Sequence, residues 1–348
     1  MIQLSEHFTY KKLLRFTLPS VIMLVFTSLY GVVDGFFVSN FVGKEAFTAV
    51  NFIMPFLLVL GSVGFLFGTG GSALIAKTIG EGEPEKANRI FSFLVYASIV
   101  CGLLFCGLGI AILRPITILL GAEGELLENS VRYGFIILIA LPAYVLQYEF
   151  QCLFATAEKP KLGLYVTLAA GITNIILDVV FVAWFRWGIE GAAVATVLGQ
   201  CVGGIFPIIY FARPNSSLLS LGKTRFDGKA LLKTVTNGSS ELMANISMSV
   251  VSMLYNAQLL KYAGEDGVAA YGVLMYVSMI FISIFIGYSV GMSPIVSYHF
   301  GAQNHGELKS VLKKILFLSR FFRFSCLERL NFWQVRLQGY SLATMRAY

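Results

Sequence analysis

Four carboxyl groups in apolar surroundings are the residues of this chain best suited to chemistry. Asp34, Glu149, Asp178 and Glu241 each interrupt a long run that is otherwise free of Asp, Glu, Lys and Arg. An acid at the centre of a membrane helix costs about 2.5–3.5 kcal/mol even on mild insertion scales, so such groups usually face a cavity or a partner. The four acids are therefore the first candidates for a functional site.

Two of these acids have a polar neighbour one helical turn earlier. Asn174 precedes Asp178 by four residues and Tyr30 precedes Asp34 by four, so each pair shares a helix face. If the two faces meet, the paired carboxyls could exchange a proton for another cation. The competing interpretation places Asp34 near the outer membrane interface, because its apolar run ends at about Gly43.

The other two acids have more ordinary interpretations beside the functional one. Glu241 follows Gly238, Ser239 and Ser240, so capping of a helix N-terminus competes evenly with a buried site. Glu149 lies toward the cytoplasmic end of its predicted helix, where a snorkelling or structural role is expected. The five cysteines lack any CxxC spacing and the three histidines are scattered, so neither a metal nor an organic cofactor is expected.

The acids lie on segments that are long and apolar enough to cross a membrane. Of the 348 residues, 57% are apolar and 13% are charged, against about 45–50% and 25% in soluble domains. A membrane-spanning helix needs about 20 apolar residues. Eight runs reach that length: Phe16–Gly43, Ala46–Ala76, Ile90–Leu113, Tyr133–Ala157, Leu162–Phe185, Gly191–Ala212, Thr234–Leu260 and Gly267–Gly306. The sequence therefore predicts an all-α polytopic membrane protein with eight membrane helices.

Charge is distributed unevenly along the chain and between alternate loops. The net charge is +7, but residues from Glu307 onward carry +6 of it, so a nucleic-acid partner is not expected. The N-terminus and the even-numbered connections carry 16 basic residues, and the opposite side carries 5. By the positive-inside rule the N-terminus is cytoplasmic.

An internal repeat divides the chain into two parts. A constant offset of 221 pairs Gly43 with Gly264 and Gly80 with Gly301, among other matches. The basic, turn-rich connection Arg213–Lys233 lies between the two copies, and duplicated bundles are typical of secondary transporters. The predicted organisation is a six-helix lobe at 1–212, a linker at 213–233, a partial second lobe at 234–318 and an atypical basic tail at 319–348.

Several segments together resemble the MATE (multidrug and toxic compound extrusion) transporters, and the start of the second half resembles their MepA-like and DinF-like bacterial branch. The resemblance implies two six-helix lobes that export small organic cations in exchange for protons or sodium ions, rather than an enzyme. It also implies a monomer in the bacterial inner (plasma) membrane. The segments that carry it are Leu29–Val38, Gly70–Ala76, Gly80–Gly82, Glu158–Lys161, Asn174–Asp178, Gly188–Thr196 and Gly238–Leu242.

The resemblance also assigns roles to individual residues. Glu241 matches an acidic position of the seventh helix that would help to bind substrate or ion. The matched positions do not fix which ion is coupled. The first-lobe cluster that would handle the coupling ion comprises Asp34, Asn174, Asp178 and Thr196, with Tyr133 and Tyr30 as further members.

The chain departs from the family pattern near Leu316. A ninth helix should continue, but Arg320, Arg323, Glu328 and Arg329 interrupt it. Ile315–Leu337 could form an amphipathic interfacial helix, although we favour out-of-frame or replaced sequence after a truncation. The second lobe would then be incomplete, so an inactive transporter fragment is an alternative to an active exporter.

Two further functions compete with drug export. One is a flippase for lipid-linked oligosaccharides in a related superfamily, whose cavities carry more basic residues. The other is a membrane-embedded transferase, for which the sequence offers no DDxxD or HExxH cluster.

Overall fold

A computed structural model of the protein describes residues 2–320, and these residues are almost entirely helical. A further helix occupies residues 305–320 and continues to the end of the described residues. The elements are α1 (Tyr10–Phe37), a π-helical segment (Val38–Val42), α2 (Lys44–Gly61), α3 (Val63–Gly80), α4 (Pro84–Leu119), α5 (Gly124–Ile139), α6 (Leu141–Thr156), α7 (Pro160–Asp178), a second π-helical segment (Val179–Trp184), α8 (Gly188–Ala212) and α9 (Gly228–Gly301).

Breaks within the long apolar segments explain why the helices do not map one to one onto membrane crossings. Helices α2 and α3 are separated only by Ser62, and α5 meets α6 at a bend of 61°. The long helix α9 contains a non-helical residue, Gly264, with φ 62°. This glycine divides α9 into a first half (228–263) and a second half (265–301), each long enough to cross a bilayer. With α5 and α6 counted as one span and α9 as two, the described residues contain eight segments long and apolar enough to cross a membrane, the number expected from sequence.

The boundary between linker and second lobe differs from the sequence prediction. Helix α9 begins at Gly228, six residues before the predicted boundary, because Asp227 caps it by accepting hydrogen bonds from the amides of Lys229 and Ala230, both at 3.0 Å. Helix α8 ends at Ala212, the residue at which the sequence places the end of the first lobe. The predicted tail lies outside the described residues from residue 321 onward, as does most of the proposed amphipathic helix.

The two repeat copies, α2–α3 and the second half of α9, lie side by side and run in the same direction. A methyl group on Gly80 would lie 2.2 Å from the carbonyl oxygen of Tyr298, and one on Gly301 would lie 2.1 Å from that of Lys77. Residues 77 and 298, like 80 and 301, differ by 221, so the contact is reciprocal. Only glycine allows two helix backbones to approach this closely. This is the geometry that a duplicated pair predicts.

The residues before α1, numbers 2–9, form an N-terminal strap across the two halves of the molecule. The Leu4 amide donates to Glu158 Oε1 at 2.6 Å, in the connection between α6 and α7. The Phe8 amide donates to Glu307 Oε1 at 2.9 Å, and the His7 ring lies 2.6 Å from Glu307 Oε2, after α9. The strap therefore ties the first lobe to the second at the end of the molecule where the chain begins.

Candidate functional site

Two of the four candidate acids lie where an α-helix widens into a π-helix. Asp34 comes four residues before the π-helical segment Val38–Val42, and Asp178 is the last residue of α7, directly before Val179–Trp184. A π turn adds one residue per turn and is frequent at functional sites. The two widened segments also contact each other. The backbone thus places both acids at irregular points of neighbouring helices.

The structure brings the carboxyls of Asp34 and Asp178 together inside the first lobe. Asp34 is 6% exposed and Asp178 is fully buried. The Asp34 carboxyl lies close enough to interact with both Asp178 and the Thr196 hydroxyl of α8. The Asn174 Nδ2 donates to Thr196 Oγ1 at 3.4 Å. Asp34 therefore faces a partner inside the lobe, and the alternative that places it near the outer interface stays a prediction.

The two tyrosines of the predicted cluster occupy different positions around these carboxyls. Tyr133 of α5 is fully buried, and its hydroxyl lies near Thr196. Tyr30 accepts a hydrogen bond from Gln147 Nε2 of α6 at 3.3 Å, and its ring covers Gly171 of α7. Tyr133 thus closes the cluster from one side, whereas Tyr30 connects it to α6.

Acceptor oxygens are in excess in this cluster. Asp34 Oδ1, Asn174 Oδ1 and both carboxylate oxygens of Asp178 are buried and have no hydrogen-bond partner among residues 2–320. Buried acceptors without a donor are costly and call for an explanation. Carboxyl, amide and hydroxyl oxygens in this arrangement can hold a proton or coordinate a small hard cation. Within the same residues, groups of three His, Cys, Asp or Glu with metal-site geometry do not occur.

Glu149 of α6 lies apart from this cluster, and its carboxyl faces α4. It is fully buried and accepts a hydrogen bond from the Ser98 hydroxyl. The snorkelling role expected from sequence is therefore wrong, because α4 covers the carboxyl completely. The structural role that was expected as its alternative agrees with this enclosed position.

Glu241 also lies apart from the Asp34–Asp178 cluster. It is partly buried, thirteen residues after the start of α9, and its carboxyl is near Cys152 of α6. The capping role that competed for Glu241 is wrong, since Asp227 caps this helix. Its assignment to substrate or ion binding stays a prediction.

A central cavity of about 170 Å³ lies between the first lobe and the described part of the second lobe. It is formed by α1, α2, α3, α6 and both halves of α9, and its lining contains no Asp, Glu, Lys or Arg. Four methionines and several aromatic rings make the walls soft and polarisable. The main side chains are Met54, Met248, Met275, Met279, Phe65, Tyr148, Tyr271, Tyr276, Asn51, Asn245 and Asn256.

Tyr276 connects the cavity to the acidic cluster, and the sequence pattern did not predict it. It lines the cavity from the second half of α9, and a methyl group on Gly35 would lie 2.9 Å from its hydroxyl oxygen. The Tyr276 hydroxyl also lies close to the Asp34 carboxyl. The available signal was Gly35 itself, since a glycine next to a buried acid often marks a close approach. Gln147, the donor to Tyr30, was missed as well.

The structure is a bundle of broken apolar helices, with a buried pair of carboxyls beside a cavity between two repeats. These features are typical of polytopic membrane transporters. The MatE family profile matches residues 19–180 and 242–324. The chain therefore belongs to the MATE family of multidrug efflux transporters, and the family predicted from sequence is confirmed.

Relatives with curated descriptions agree with this assignment. The chain is 26% identical over 313 residues to the multidrug export protein MepA of Staphylococcus haemolyticus (strain JCSC1435), covering 90% of this chain and 69% of that protein. It is 26% identical over 309 residues to MepA of Staphylococcus aureus (strain MRSA252), covering 88% and 68%. The chain thus spans a little over two thirds of the length of these relatives.

Solved structures confirm the fold. The MATE multidrug transporter DinF-BH superimposes with a TM-score of 0.86 and 25% identity, covering 93% of this chain and 74% of that one. A MOP superfamily transporter from Pyrococcus furiosus superimposes with a TM-score of 0.83 and 21% identity, covering 92% and 71%. The predicted all-α two-lobe bundle, with the described residues filling the first lobe and part of the second, is confirmed.

Proposed function

We propose that this protein couples the export of organic cations to the inward movement of protons or sodium ions. The observation that carries the proposal is the buried pair Asp34 and Asp178, with acceptor oxygens that lack donors. Two carboxyls that meet in apolar surroundings are held together best by a shared proton or a cation between them. Asn174, Thr196, Tyr133 and Tyr30 complete the ion site in this proposal.

Coupling requires that the ion favour one arrangement of the two halves over the other. An ion can shift an equilibrium only by binding the two states unequally. Tyr276 links the ion site to the second lobe. It lies in the second half of α9 and packs on Gly35, the residue next to Asp34. A change in the charge or geometry at Asp34 would therefore alter the contact between the halves beside the cavity.

The cavity suits an apolar or aromatic cation better than a polyanion. Its lining is uncharged, and the faces of Tyr148, Tyr271 and Tyr276 can attract a delocalised positive charge. An oligosaccharide linked to a lipid by phosphate would require basic residues, which this lining lacks. We accordingly favour drug export over the flippase alternative. We further propose a plasma-membrane location with a cytoplasmic N-terminus, supported by the 16 to 5 distribution of basic residues.

Ethidium efflux from cells that express the protein tests this function. We expect efflux that falls at least tenfold in Asp178→Asn, because the amide can neither release a proton nor balance a cation. Dissipating the proton gradient and the sodium gradient separately would identify the coupling ion. The proposed coupling role fails if Asp178→Asn leaves efflux and its pH dependence unchanged.

A further inference from the structure

A basic cleft lies far from the acidic cluster, where the linker between the halves crosses the start of α4. It has a volume of about 760 Å³. Its walls come from the first turns of α4 and from linker residues 223–227. The side chains that matter for its chemistry are Lys86, Arg89, Lys223, Arg225, Phe226 and Asp227.

The linker is held in place along α4, so the cleft is preformed. The Ser220 amide donates to Asn88 Oδ1 at 2.9 Å, and the Gly222 amide donates to Ser92 Oγ at 3.0 Å. One turn along, the Thr224 hydroxyl donates to the carbonyl oxygen of Arg89 at 2.9 Å. A preorganised site loses less entropy when it binds a ligand.

The charges around this cleft are not balanced. Lys86 pairs with Glu83 at 2.6 Å, whereas Arg89, Lys223 and Arg225 form no ion pair with any residue from 2 to 320. The single acid of the lining, Asp227, accepts two amide hydrogen bonds at Oδ1 and keeps its charge, which acts on Lys86. The lining thus holds four cations and one carboxylate. Three converging cations without a carboxylate partner favour an anion with several oxygens.

An apolar stripe runs from the cleft along α4 into the membrane-spanning region. The ring of Phe226 packs edge-on against Phe93 at 5.7 Å and is itself 81% exposed. Tyr96, Val100 and Leu103 follow on the same face at spacings of three and four residues and are exposed. A ligand bound in the cleft therefore has an apolar surface directly below its anionic group.

We propose that this cleft binds the phosphate headgroup of an anionic phospholipid, whose acyl chains lie along the exposed stripe of α4. Basic clefts at the membrane surface bind anionic lipid headgroups in this way. The stripe distinguishes a lipid from a free phosphate ion, which would gain nothing from Phe226 or Leu103. The position on the linker means that the bound lipid would contact the segment that joins the two halves.

Lipid binding by the purified protein in detergent tests the proposal. Native mass spectrometry would compare dioleoyl phosphatidylglycerol with dioleoyl phosphatidylcholine, and we expect the first to bind at least tenfold more tightly. In the triple variant Arg89→Gln/Lys223→Gln/Arg225→Gln this preference should fall at least tenfold. Lys223→Gln alone, an exposed change in the linker that does not endanger folding, should weaken phosphatidylglycerol binding two- to fivefold.

A matched control removes the same charge elsewhere at the same end of the molecule. Lys11, Lys309 and Lys313 are exposed and form no ion pair with the described residues. The variant Lys11→Gln/Lys309→Gln/Lys313→Gln should keep the lipid preference. Equal losses in the two triple variants would show a general surface attraction and overturn the site. Displacement of the lipid by millimolar inorganic phosphate would overturn the assignment to a lipid.

Discussion

The first lobe contains two buried acidic sites with very different surroundings. Asp34 and Asp178 face each other across α1 and α7, beside two π-helical segments and next to a tyrosine from the other half. Glu149 is a single acid enclosed by α3, α4 and α6 of one lobe, with the Ser98 hydroxyl as its donor. Both sites are buried, so burial does not by itself distinguish a functional acid.

The difference lies in what each carboxyl can respond to. A lone buried acid with a hydroxyl donor can keep one protonation state throughout, and its hydrogen bond then stabilises the packing of α4 on α6. Two facing acids change their mutual repulsion whenever a proton or cation arrives. Only Asp34 also lies beside a contact between the two halves. Mutation of the acidic pair is therefore expected to affect transport, whereas mutation of Glu149 is expected to affect stability.

Mutation of the acidic pair should have the largest effect. Asp34→Asn and Asp178→Asn should each reduce ethidium efflux at least tenfold, and the double variant should be no worse than either single one, because the two carboxyls act as a unit. Initial efflux rates in cells with matched expression levels measure this. Losses that multiply in the double variant would contradict the shared site.

A methyl group at the junction of the halves should have the next largest effect. In Gly35→Ala the new carbon would lie 2.9 Å from the Tyr276 hydroxyl oxygen and 3.0 Å from its Cζ, so the ring must move. We expect efflux to fall about fivefold, which corresponds to about 1 kcal/mol, the lower end of the cost typical of overpacking. Gly31→Ala is the matched control on the same helix, because it has no neighbour within 4 Å. The same loss in both variants would remove Tyr276 from the mechanism.

Mutation of the lone acid should affect stability more than transport. Glu149→Gln keeps an acceptor for Ser98 and should leave efflux within about twofold of the wild type. Glu149→Ala opens a cavity and removes one acceptor of the Ser98 hydroxyl, which can still donate to the Val95 carbonyl at 2.9 Å. The cavity should therefore cost most of an expected loss of about 1–3 kcal/mol of stability. Thermal unfolding of the purified protein measures that loss. A tenfold loss of efflux in Glu149→Gln would show that Glu149 is as important for transport as the Asp34–Asp178 pair.

The smallest effect should come from breaking the contact between the N-terminal strap and Glu307. This variant also separates the pH dependence of stability from the pH dependence of transport. Burial alone would raise the pKa of Glu307, but the Phe8 amide and the His7 ring hold it below the usual value of 4.5. A lowered pKa adds stability that is complete above pH 4.5 and is lost as the pH falls through the lowered value. Glu307→Gln should therefore cost about 0.2–1 kcal/mol at pH 7 and nothing in strong acid.

Efflux measured between pH 6 and 8 provides the control for this variant. The Glu307 carboxyl stays ionised over that interval, because its pKa lies below 4.5. The pH profile of transport should therefore be the same in Glu307→Gln as in the wild type. A shifted profile would assign part of the pH dependence to the strap and weaken the case for the acidic pair.

The sequence predicted much of this fold because hydrocarbon leaves few options for a long apolar segment. Apolar runs with at most one acid located the eight candidate crossings, and the end of the last run of the first lobe, Ala212, is the end of α8. The helix start at Gly228 was missed because Asp227 lies among basic residues that read as a loop. The π-helical segments were missed because one extra residue per turn leaves no mark in the pattern of apolar residues.

The candidate site was predictable only as far as local spacing reaches. The pairs Tyr30–Asp34 and Asn174–Asp178 share a helix face at any tertiary arrangement. The partner that joins the site to the cavity, Tyr276, is more than 240 residues from Asp34 in sequence. No local pattern reports such an approach. Burial of Glu149 was mispredicted for a similar reason, since its cover comes from α4.

The reciprocal contact of Gly80 with Tyr298 and of Gly301 with Lys77 bears on how easily the halves can part. It joins one main chain to another at the two glycines, and the Lys77 ammonium lies over the Phe300 ring beside it, 5.5 Å from the ring centroid. Because positions 80 and 301 have no side chain, the two backbones can slide past each other at these points without a rotamer change there. A larger residue at either glycine would wedge this seam apart permanently, whichever copy of the repeat carried it.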